Sequence, residues 1–364
     1  LTEVDIRRFQ GFQNGAGYLH DRTVETVGTL YGMHWPHLQY ETARDVRRSP
    51  IHDRLAARGA CFGEVSGWER PNWYASHEAE PKYEYSFGRQ NWFSDSGEEH
   101  RAVREAVGLF DQTSFAKFLI QGRDAEAMMQ RICANDVGVP AGRVVYTTML
   151  NRHGGIEADL TVTRLCEDRY MVVTGGAGER RDFHWIEQSI PDGAHAFLTN
   201  VTSAYAVLGV MGPKSRELLS GLTGADLSNE AFPFLSSREI EIGHAVVRAT
   251  RITYVGELGW ELYVPTEFAT HVYDMLVDKG QEHGMRHAGF HAMDSLRVEK
   301  GYRAWGSDLT DQDTPVEAGL RFAVAFEKAV EFNGKSALIR QIEQGVKKRL
   351  AVFTLDDPEP LLLG

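Results

Sequence analysis

From Glu98 onward, runs of alternating apolar residues and runs of helical spacing follow one another at short intervals, which restricts the chain to a mixed architecture of helices and strands. The stretch Glu99 to Val107 predicts a polar helix, Ala116 to Ile120 a strand, and Asp124 to Cys133 an amphipathic helix. Val144 to Leu150, Leu160 to Leu165 and Arg169 to Thr174 predict further strands, with Gly154-Gly155 as a hairpin turn between the first two. Arg180 to Ser189 predicts a helix, Ala204 to Met211 a strand, and Pro213 to Gly221 a helix with proline in its first turn. Hairpins interspersed with helices point to an α+β fold rather than a doubly wound parallel sheet.

Residues 1–44 mix aromatic and polar residues without lasting periodicity, as expected of a piece that packs onto something else. Residues 45–97 are rich in Trp and Gly and suggest a compact connecting module. Residues 98–346 hold the interleaved pattern, and Arg349 to Leu355 alternates like a strand opening a new unit within 347–364. The N-terminal Leu1-Thr2-Glu3-Val4-Asp5 reads as a cut edge without a secretory signal. With 364 residues the chain calls for more than one packed unit.

A net charge of -12 argues against nucleic acid and anionic lipid as partners, and no run of about 18 apolar residues suggests a membrane span. Three dispersed cysteines, Cys61, Cys133 and Cys166, indicate neither a disulfide framework nor a thiolate metal site. A soluble protein of a reducing compartment is the expectation, cytoplasmic or, in a eukaryote, of the mitochondrial matrix.

Two segments have the residues for chemistry. If Gly154-Gly155 turns the chain, Asp159 and Thr161 lie two apart on one strand and share a face, an arrangement that also suits a structural role. In Ile252 to Pro265, Glu261 and Tyr263 share a face, with Tyr254 across a glycine-bearing turn. Aromatic rings around one carboxylate suit a flat heterocycle, which stacks on the rings and offers two parallel N–H donors to the acid. His283, His287 and His291 have helical spacing, but Gly284 and Gly289 interrupt it and no metal is expected. His153, beside the turn, is expected to be an exposed histidine.

These two segments resemble the signature regions of the glycine-cleavage T-protein (aminomethyltransferase) family. Asp226 to Phe234, Val255 to Leu262, Asp294 to Arg303 and Gly67-Trp68-Glu69-Arg70-Pro71 resemble the sarcosine and dimethylglycine dehydrogenase family more closely, over nearly the whole chain. The resemblance implies an α+β aminomethyltransferase-like fold at 98–346. It also implies the tail of a flavin oxidoreductase domain at 1–44, that enzyme's central domain at 45–97, and the start of a C-terminal barrel at 347–364. It implies Asp159 as the catalytic residue and Tyr146, Thr161, Tyr254, Glu261 and Tyr263 as tetrahydrofolate contacts.

The implied activity is capture of the imine or formaldehyde from oxidative demethylation of sarcosine or dimethylglycine, as 5,10-methylenetetrahydrofolate. Its partners are a folate, an N-methyl amine substrate and a flavin domain that is missing from this sequence and would hold FAD. No strand precedes a Gly-x-Gly-x-x-Gly motif, and Thr174-Gly175-Gly176-Ala177-Gly178 has the spacing of a plain turn. Ala292-Met293-Asp294 departs from the Ala-Arg-Asp of ordinary T-proteins, so a cation available there for the folate carboxylates is missing. A stand-alone aminomethyltransferase or demethylase and a non-catalytic folate-binding module are the alternative readings.

Overall fold

A computed structural model describes Ile6, residues 9–76 and residues 80–356. The expected cut edge at Leu1 to Asp5 and the last residues of the expected C-terminal unit, 357–364, lie outside the described residues. The chain opens with α1 (Ala16–Thr29) and α2 (His52–Ala56), followed by an antiparallel hairpin of β1 (Ala60–Val65) and β2 (Trp68–Tyr74). Then come α3 (Phe93–Glu105), β3 (Val107–Asp111), β4 (Ala116–Gln121), α4 (Ala125–Ile132), β5 (Val144–Leu150), β6 (Ile156–Cys166), β7 (Arg169–Thr174), α5 (Glu179–Gln188) and β8 (Phe197–Asn200). The second half runs β9 (Tyr205–Met211), α6 (Ser215–Ser220), β10 (Ser236–Ile242), β11 (Ala245–Arg251), β12 (Gly259–Pro265), α7 (Ala269–Gly280), β13 (Met285–His287), α8 (Phe290–Glu299) and α9 (Lys335–Gln344).

The strands form two larger sheets, of order β5-β6-β7-β4-β8 and β10-β11-β12-β9-β3-β13. All pairings are antiparallel except β13 with β3. The fold is α+β, as the interleaved pattern predicts. β5 and β6 form a hairpin whose turn has Gly154 at φ 84°, a conformation that glycine adopts without steric cost.

Each sheet has one apolar face under helices. In the first, the row Val145, Val162, Val172 and Phe118 packs with Met128, Met129 and Ile132 of α4 and Ile186 of α5. In the second, Leu208, Val210, Leu262 and Val264 pack with Val272, Tyr273 and Leu276 of α7. Strand side chains alternate, so the next row of each strand faces the opposite way. Those opposite faces meet where Met171 and Val173 of the first sheet pack against Val207 and Tyr263 of the second.

Two local expectations are corrected. Residues 1–44 contain a regular helix, α1, which buries none of its residues; Leu19, Val24 and Val27 lie along one side of it and are exposed. Arg349 to Leu355 forms no strand, because its alternation finds no neighbouring strand with which to exchange hydrogen bonds. Among the described residues no helix is long and apolar enough to cross a membrane.

Candidate functional site

The faces that turn away from the helices carry polar residues. Across the first sheet, Tyr146, Thr161, Val173 and Lys117 are successive cross-strand partners, so they stand in one row on one face. Asp159 and Thr148 are paired in the adjoining row of that face. Across the second sheet, Phe110, Gly209, Glu261 and Thr250 form one row, and Val207 and Tyr263 are paired in the next. Val173 links the two faces: it is the strand partner of Thr161 and packs in the cluster that contains Tyr263.

The structure therefore gathers Asp159, Tyr146 and Thr161 on one face and Glu261 and Tyr263 on the face opposite. Tyr254 lies in the loop between β11 and β12, where its hydroxyl donates to the Arg303 carbonyl at 2.7 Å and its ring stacks on Tyr302. Its phenol is raised chiefly by burial, with the Asp159 charge among the further causes, which puts it on the Asp159 side.

Asp159 is half-buried and accepts a hydrogen bond from the Tyr146 hydroxyl at 3.0 Å. Loss of hydration pushes its carboxyl up to about 6; the Tyr146 hydrogen bond opposes this, the nearby Asp182 charge adds to it, and the Arg181 charge opposes it. A carboxylate that titrates near neutrality can exchange a proton with a reacting nitrogen. Glu261 is buried, and its Oε2 accepts from the Tyr263 hydroxyl at 2.7 Å. Burial raises its pKa, against the Tyr263 and Gln112 hydrogen bonds and the charge of Lys117.

Sequence reasoning missed Gln112 and Lys117. Gln112 Nε2 stands 3.5 Å from Glu261 Oε1, and its Oε1 is buried without a partner. Lys117 is fully buried, donates to the Thr113 carbonyl at 2.9 Å, and is pulled down to about 7, mainly by burial. A lysine between Ala116 and Phe118 in an otherwise apolar strand was the available signal. His283, His287 and His291 fall on a 3-10 turn, β13 and α8 in turn, and share no face. Among the described residues no three histidines, cysteines or acids are grouped to hold a metal. His153 is exposed and its Nε2 lies 3.0 Å from Arg152 Nε.

A family model described as GCVT N-terminal domain matches residues 51–328. The chain belongs to the GCVT N-terminal domain family. Residues 1–49 match a second model, the FAD dependent oxidoreductase central domain. The 4-methylaminobutanoate oxidase (formaldehyde-forming) of Paenarthrobacter nicotinovorans is 46% identical over 100% of this chain and 44% of its own length. Human mitochondrial sarcosine dehydrogenase is 34% identical over 98% of this chain and 43% of its own length. The chain thus spans under half the length of these relatives. The crystal structure of glycine cleavage system aminomethyltransferase T from Bartonella henselae superposes with a TM-score of 0.69 at 26% identity, covering 83% of this chain and 76% of that one.

Proposed function

We propose that this chain binds tetrahydrofolate between its two polar sheet faces and transfers to it the one-carbon unit released when an N-methylated amino acid is oxidatively demethylated. The observation that carries the reading is the pair of acids on facing sheets, Asp159 titrating near 6 and Glu261 buried beside an unpartnered Gln112 carbonyl. A pterin edge presents an exocyclic amine and a ring N–H. A buried carboxylate with a neighbouring amide acceptor suits that donor set.

Tetrahydrofolate, when bound, supplies the nitrogens N5 and N10 that take up the carbon unit as 5,10-methylenetetrahydrofolate. Glu261, held by the Tyr263 hydroxyl, fixes the pterin edge, while Tyr146 holds Asp159 in place on the facing sheet. Asp159, ionised above about pH 6, takes the proton that a folate nitrogen loses as it bonds to carbon, and its charge stabilises the positive charge that develops. Tyr254 and Thr161 border the same space and orient the ligand, and orientation alone is worth several kcal/mol in a transfer of this kind.

In the longer protein, an FAD-bearing portion would carry out the oxidation; sarcosine and dimethylglycine are the proposed amines. Incubation of the full-length protein with formaldehyde or its amine, together with tetrahydrofolate, tests the reading by mass analysis of the folate. Wild type should form 5,10-methylenetetrahydrofolate faster than the uncatalysed background, and Asp159→Ala should not. Undiminished transfer by Asp159→Ala would remove Asp159 from the mechanism.

A further inference from the structure

Arg70 on β2 is a half-buried cation without an acid. Among the described residues it makes no ion pair or side-chain hydrogen bond, and its Nε is buried without a partner. The acids nearest in effect are committed elsewhere: Glu64 to Arg22 at 3.3 Å and to the Gly67 amide, Asp294 to Arg297 at 2.7 Å. Burial pulls the guanidinium down to about 10, while Tyr83, Glu64 and Asp294 oppose that shift. Removing a cation from water without a hydrogen-bonded acid is unfavourable, and a ring contact offsets only part of it.

The position of Arg70 says what it would meet. Its guanidinium lies 4.1 Å over the ring of Phe290, the first residue of α8. Phe290 is edge-to-face with Phe115 at 6.3 Å, and Phe115 packs against the cluster of Val173 and Tyr263. Phe290 and Tyr254 both pack against the cluster that contains Met293, which is 3% exposed and offers no charge. Arg70 is thus joined through two ring contacts, Phe290 and Phe115, to the Val173 and Tyr263 cluster where the polar faces meet.

We propose that Arg70, delivered by the β1–β2 hairpin, is the anchor for the carboxylate tail of the bound folate. A planar guanidinium pairs with a carboxylate through two parallel hydrogen bonds, and the glutamyl tail brings such groups at the end of the molecule remote from the pterin. The inference rests on the folate reading above, and two probes separate them: (6S)-tetrahydrofolate, and 6-methyltetrahydropterin, which has the ring and no tail.

Calorimetric titration of the full-length protein with both probes is the test. Wild type binds both, and tetrahydrofolate more tightly. Arg70→Met weakens tetrahydrofolate roughly 10- to 100-fold and leaves 6-methyltetrahydropterin within about twofold, which also shows that the variant is folded. Arg70→Lys, which keeps the charge, recovers part of the loss. Unchanged tetrahydrofolate affinity in Arg70→Met, or an equal loss for both probes, overturns the assignment of Arg70. Binding of neither probe by wild type overturns the folate reading itself and the tail anchor with it.

Discussion

At Asp159 burial and a tyrosine hydroxyl oppose one another, and burial wins, which leaves a carboxyl that titrates at about 6 instead of 3.8. Two outcomes follow from that one displacement. Folate-dependent transfer falls as pH drops through about 6, where the base takes up its proton, and a pH–rate profile reads this limb directly. Stability moves the other way: between about pH 4 and 6 the unfolded chain has already released the Asp159 proton while the folded chain retains it. Asp159→Asn, which still accepts from Tyr146, is therefore inactive but more stable than wild type at pH 8, and the gap closes below about pH 4. Denaturant melts at the two pH values check it; a variant less stable at pH 8 contradicts the burial argument. Glu261→Gln keeps an acceptor for Tyr263 but loses the charge that faces the pterin donors. Its tetrahydrofolate affinity should fall about 10- to 100-fold by calorimetry, the worth of one charge-assisted pair. Asp159 with Thr161, and Glu261 with Tyr263, could be put on shared faces from a period of two alone. The hydroxyls that hold the acids could not, since Tyr146 reaches Asp159 only through the register of a hairpin with an irregularity at Met149 and Leu150.

Only some strands of the two sheets were legible, those where apolar alternation under a helix layer leaves a strong mark: β5 and β7 run over the residues expected, and α4 and α5 shift by one residue at each end, while β3, β8, β10, β11 and β13 were not anticipated. α1 was not legible, since its short apolar side is interrupted by His20 and Thr23 and buries nothing. The alternation at 349–355 misled because strand formation needs a partner that sequence cannot supply. Within β4, Lys117 interrupts the apolar pattern, and the sheet tolerates it as the cation whose charge favours ionised Glu261. Its pKa is pulled from 10.5 to about 7, so below pH 7 both folded and unfolded chains hold the proton and the full desolvation cost is present. As pH rises from about 7 towards 10.5 the unfolded chain alone remains protonated, and that cost fades. Lys117→Met should thus be more stable than wild type at pH 6, with the advantage shrinking by pH 9, while its tetrahydrofolate affinity drops as Glu261 loses its opposing charge. Equal stability differences at the two pH values would contradict this.

On the scale of the whole molecule, each sheet buries an apolar face under its own helices and turns a polar face toward the other sheet, and the contact of Val173 with Tyr263 closes that arrangement. Gln112 and Lys117 escaped sequence reasoning for this reason: what they do depends on Glu261, about 150 residues away in the chain and on another strand. Net charge says nothing of this interior. One ligand has to span the two faces for the proposed transfer. A crystal structure of the protein with (6S)-tetrahydrofolate measures that directly. The expected result is the pterin amine and ring N–H on Glu261, with N5 and N10 within hydrogen-bond reach of Asp159. A folate bound away from Glu261, or one that leaves Asp159 on the far side of packed aliphatic side chains, would contradict it.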